Sequence, residues 1–105
     1  MESPSLTYIN KLTNGDNVFL KKLITVIKAE FPLEKELYYK NISSNNLEGA
    51  SQNVHKLKHK ISILSFDKGY AIAAAHENNL REHNNSLNED FNIVLEKITY
   101  YLTKI

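Results

Sequence analysis

Cysteine is absent from all 105 residues. That excludes a disulfide scaffold, a thiol nucleophile and a thiolate metal site. Glycine and proline are scarce, three and two respectively, so the chain has few breaks and little room for turn-rich architecture. No apolar run approaches the roughly 18 residues of a membrane span. The opening Met-Glu-Ser-Pro-Ser offers neither a basic segment nor an apolar one, so no signal peptide is expected. A surplus of one charge is also missing. Thirteen Lys+Arg against twelve Asp+Glu leave a net +1, which gives no bulk attraction for nucleic acid or an anionic membrane. No glycine-rich phosphate loop is present. These absences lead us to expect one soluble domain over residues 1–105, cytoplasmic and monomeric, long enough to bury about two thirds of its unfolded surface.

What is present is helical periodicity. Residues 6–12 predict a short helix with Leu6, Ile9 and Leu12 on one side. Asn14-Gly15-Asp16 is a break followed by an acidic helix start. Leu20, Leu23, Ile24, Ile27 and Phe31 then mark the apolar face of a second helix. Pro32 is expected to kink or restart it, with Leu33, Leu37 and Ile42 carrying the continuation. Ser43-Ser44-Asn45-Asn46 is a polar loop rich in capping residues. Beyond it Leu47, Ala50, Val54, Leu57, Ile61 and Leu64 alternate steps of three and four without error, the clearest amphipathic helix of the chain. Asp67 can cap the next helix, which carries Tyr70, Ala73, Ala74, Glu77, Leu80 and Arg81. Ser86-x-x-Glu89 has the form of a capping box before a last helix with Phe91, Val94, Leu95, Ile98, Tyr101, Leu102 and Ile105. Four main helices with short connections predict an all-α, up-down antiparallel four-helix bundle with a short extra N-terminal helix.

The chemistry lies beside the apolar seam of the Leu47–Leu64 segment. His55, Lys58, His59 and Ser62 fall at i, i+3, i+4 and i+7 and share one stripe. An imidazole is a competent nucleophile near neutral pH, and a lysine one turn away supplies charge for an arriving phosphoryl group. On spacing alone, a solvated surface face is the commoner explanation of such a pair. His55 and His59 also form H-x-x-x-H, and with His76, Glu77 and His83 on the next helix they make a metal-binding bundle an alternative. The glutamate of the H-E-x-x-H pattern is missing, however. His76 and His83 are otherwise expected at the surface without a role. Phe31, Phe91, Tyr70 and Tyr101 fit core or core-edge positions, and Tyr38-Tyr39 and Tyr100-Tyr101 each place one ring inward. The basic run Lys56, Lys58, His59, Lys60 suits steering toward an acidic protein pocket better than nucleic-acid binding.

The string from Val54 to Ser65 resembles the signature of histidine-containing phosphotransfer (HPt) domains, A-H-x-L-K-G-x-x-x-x-L-G. It matches at His55, Leu57, Lys58 and Leu64. Gly15-Asp16-x-x-Phe19-Leu20 is similar to the start of that family's long second helix, and helix order agrees along nearly the whole chain. Glu77, 22 residues after His55, and Arg81, 26 after it, fall where the family carries groups close to the phosphorylated ring. Two positions depart. His59 and Ser65 stand where the family has glycine, the first beside the surface that a partner approaches. The resemblance implies a phosphorelay intermediate. His55 would accept a phosphoryl group from the aspartyl phosphate of a receiver domain and pass it to another receiver, with Lys58, Glu77 and Arg81 assisting. It implies no ATP binding and no autokinase activity. It also implies no cofactor of its own, Mg²⁺ being supplied by the receiver, and no nucleic-acid or membrane partner. Ser51, Gln52, Lys56, His59 and Ser62 are the expected docking residues. A non-catalytic helical interaction module is the principal alternative.

Overall fold

The computed structural model describes residues 3–105 and consists of five helices: α1 (Thr7–Thr13), α2 (Asn17–Ser43), α3 (Leu47–Ile63), α4 (Asp67–Arg81) and α5 (Asn88–Leu102). The fold is all-α, a short N-terminal helix followed by an up-down four-helix bundle. α3 is its centre, packed most closely against α4 and then α2, while α5 closes the far side against α4. The predicted seam is the reason. Ala50, Val54, Leu57, Ile61 and Leu64 are all fully buried, and they meet Phe31, Ala73, Leu80, Phe91, Leu95 and Ile98 in one core. The N-terminal segment is tied to the end of α3, where Ser5 N–H donates to the Leu64 carbonyl at 2.7 Å and Tyr8 N–H to Ser65 Oγ at 3.0 Å.

Local chemistry sets most helix starts. Asp16 caps α2, its carboxylate accepting from the Val18 and Phe19 N–H groups at 3.1 Å. Asn46 caps α3 through Gly49 N–H at 3.1 Å. Two predicted caps do not form. Phe66, not Asp67, precedes α4, and Asp67 instead lies in its first turn, where its charge still favours the helix N-terminus. α5 begins at Asn88, too late for a Ser86–Glu89 box; Ser86 N–H is taken by the Asn84 side chain at 2.8 Å.

The largest departure concerns α2, which runs unbroken for 27 residues through Pro32. Proline removes only the bond to the Lys28 carbonyl, and both Lys28 and Pro32 are exposed, on the solvent side of the helix where a freed carbonyl is not buried. Phe31 and Tyr38, buried on either side, hold both halves to the bundle. Because the helix keeps its phase, Leu33 and Leu37 face solvent, 66% and 53% exposed, and Tyr38 takes the core position instead. Leu12 and Tyr70 are likewise exposed.

Candidate functional site

Three side chains from two helices converge on Glu77. Its side chain is only 3% exposed, an isolated carboxylate in a nearly dry position, and it is matched by three donors. His55 Nδ1 lies 3.1 Å from Oε2, Lys58 Nζ lies 2.9 Å from Oε1, and Arg81 Nη2 donates to Oε2 at 2.5 Å. The first two reach across from α3 and the third comes from one turn along α4. Burial by itself pushes the Glu77 carboxyl up, but Lys58, Arg81 and His55 outweigh it and hold the group below its ordinary value.

An ionised carboxylate only accepts hydrogen bonds, so His55 Nδ1 is the protonated nitrogen. That fixes the tautomer. In the neutral ring Nε2 then carries the lone pair, and it belongs to a side chain that is 52% exposed. The ring is therefore held at one nitrogen and open at the other. Lys58 is drawn inward by Glu77 and lies over the Tyr70 ring, 5.7 Å from its centroid. His59 stands edge-on to His55, with ring centroids 5.0 Å apart and planes at 85°. On the other flank of α3, Lys60 reaches Glu34 at 2.7 Å and Glu30 at 3.1 Å on α2. The two flanks thus pin α3 in rotation and leave His55, Lys56, His59 and Ser62 outward.

The structure brings together His55, Lys58, Glu77 and Arg81. Gln52, Lys56, His59 and Ser62 are exposed around them. Ser51 differs: it is buried, and its hydroxyl donates to the Glu48 carbonyl at 2.6 Å. Its place on the wheel turns it toward α4 rather than to the outer face. It lines a cleft of about 340 Å³ with Glu48, Gln52, Leu80, Arg81 and His83.

His76 is a correction. It is fully buried, not at the surface, one residue before Glu77 but on the opposite flank of α4. Tyr38 from α2 gives its single hydroxyl hydrogen to Asn88 Oδ1 at 2.7 Å, and His76 Nε2–H donates to the Tyr38 oxygen at 2.7 Å. The imidazole also packs on Phe91 at 5.2 Å between ring centroids. Burial lowers its pKa to about 4, so it is neutral at physiological pH. Nothing local in the sequence distinguishes this histidine, because its partner is 38 residues away. His83 is exposed, as expected. Among the described residues no group of three or more His, Asp or Glu side chains is placed to hold a metal ion. No helix among them is long and apolar enough to cross a membrane.

Comparison with protein-family models, with curated proteins and with solved structures yields no match.

Proposed function

We propose that the domain is a phosphorelay intermediate with His55 as its phosphoacceptor. The observation that carries this reading is the His55–Glu77 pair: a half-exposed ring anchored through Nδ1 to a buried carboxylate, which in the neutral ring leaves the Nε2 lone pair for an approaching partner. Such a ring needs no proton removed before it attacks. In the step proposed, the Nε2 lone pair forms the N–P bond and the O–P bond of a receiver's aspartyl phosphate breaks. The electron pair returns to the aspartate carboxylate. The ring gains a positive charge, which Glu77 balances through the retained Nδ1–H. Lys58 and Arg81, held within reach by the same carboxylate, neutralise charge on the phosphoryl oxygens. The reverse sequence returns the group to another receiver, and the receiver brings Mg²⁺. No nucleotide or autokinase step is needed, and a monomer suffices.

The test is transfer from a panel of acyl-phosphorylated receiver domains to the wild type and to His55→Gln. Acid-labile, alkali-stable label on the wild type alone is the expected result; equal labelling of the two overturns the reading. The second reading is a docking module without chemistry, favoured by the His59 ring standing against His55. It predicts that receivers bind without leaving label.

A further inference from the structure

A feature of the site that the proposed transfer step leaves unused is His59. It lies on the outermost line of α3, one turn beyond His55, with its ring edge-on at 5.0 Å between centroids. The charges around it change when His55 is phosphorylated. Beforehand the cluster holds one carboxylate, Glu77, against two permanent cations, Lys58 and Arg81, so a positive charge is in excess. Afterwards the ring carries one positive charge and the phosphoryl oxygens two negative ones. The excess is gone, and the dianion projects from Nε2, the nitrogen turned away from Glu77.

Other charged groups do not do this work for His59. From α4, Glu77 is already shared by His55, Lys58 and Arg81, and Tyr70 lies under Lys58. From α2, Glu30 and Glu34 are both held by Lys60. Its own helix offers Lys56, Lys58 and Lys60, all cations. The phosphoryl group would therefore be the new negative charge to arrive beside His59.

We propose that His59 takes up a proton when His55 is phosphorylated and that the resulting imidazolium holds the phosphoryl group, so that charging and discharging of His55 are linked to pH. The inference rests on the phosphoacceptor reading of His55. The sign follows from linkage. A proton bound more tightly to the phosphorylated form favours that form at low pH and its discharge as pH rises. His59 holds the phosphoryl group by charge and forms no covalent bond to it; it is a positioning residue.

The experiment uses phosphoramidate, which phosphorylates histidine directly, the N–P bond to His55 forming as ammonia leaves. The ring resonances of His59 are followed by NMR from about pH 6 to pH 9, across the histidine range, before and after labelling, with exposed His83 as internal reference. The expected result is that the His59 midpoint rises by about one pH unit on phosphorylation, a tenfold tighter proton. The rise should be absent in His55→Gln treated in the same way. A His59 midpoint that moves no more than that of His83 overturns the proposal. Label from phosphoramidate but from no receiver would end the relay reading while the titration still decides this one. Failure of phosphoramidate to label His55 would overturn both.

Discussion

Single side chains at this site act through the hydrogen bonds they accept or donate. Glu77 is the clearest case, since one buried carboxylate selects the tautomer of His55 and draws in Lys58 and Arg81. Replacing Glu77 by Ala should return His55 to the Nε2–H tautomer that free imidazole prefers; ¹⁵N NMR of the ring nitrogens reads this directly, without any partner protein. His76 gives a pH prediction. Its pKa is about 4 when folded, against 6.5 for the free side chain. Between those values the unfolded chain binds the extra proton, so stability falls as pH falls through that window and levels off below it. The loss should be about 3 kcal/mol from pH 7 to pH 4, measured by urea melts. Glu77 adds to it in the same direction at the acid end, since its lowered pKa stabilises the fold above the ordinary carboxyl value of 4.5 and is lost as pH falls through the folded one. In His76→Gln the slope between pH 6.5 and pH 5 should disappear even if the starting stability is lower.

Helices in this chain end in a manner that the shortage of glycine conceals. α2, α3 and α4 each close with a left-handed residue that is not glycine, namely Asn45, Ser65 and His83, at φ 59°, 57° and 60°. Each is followed by the paired reverse bonds of a Schellman turn, such as Phe66 N–H to the Ile61 carbonyl and Ser65 N–H to the Ser62 carbonyl. Asparagine tolerates that conformation; serine and histidine pay for it, by about 1 kcal/mol. Ser65 recovers part of this by accepting from Tyr8 N–H, whereas His83 is exposed. His83→Gly should therefore stabilise the domain by roughly 0.5–1 kcal/mol, raising Tm by a few degrees in a thermal melt. Ser65→Gly should gain less. At helix starts the expectation runs the other way: Asp16→Ala leaves the Val18 and Phe19 N–H groups without their acceptor and should cost about 1 kcal/mol, read by the same melts.

As a whole the molecule is elongated, 44 × 25 × 19 Å, because α2 outruns the helices it packs against. None of residues 17–26 is buried, and the first buried position of α2 is Ile27. Amide hydrogen exchange should therefore show residues 17–26 opening locally, while α3 and residues 27–43 exchange only on global unfolding. Equal protection along α2 would contradict this. The sequence by itself determined the helix count, the seam of α3, the caps at Asp16 and Asn46, and the alignment of His55, Lys58 and His59, because each depends on residues within a turn or two of one another. Glu77 was legible as a neighbour of His55 only through a resemblance. That its carboxylate is buried and triply paired was decided by α4 docking on α3. The tertiary structure also decided that α2 continues through Pro32, since core contacts at Phe31 and Tyr38 outweigh one missing hydrogen bond. It decided the burial of Ser51 and of His76 as well. Those outcomes depend on which face of one helix meets another across the bundle, and periodicity within a single segment carries no record of that.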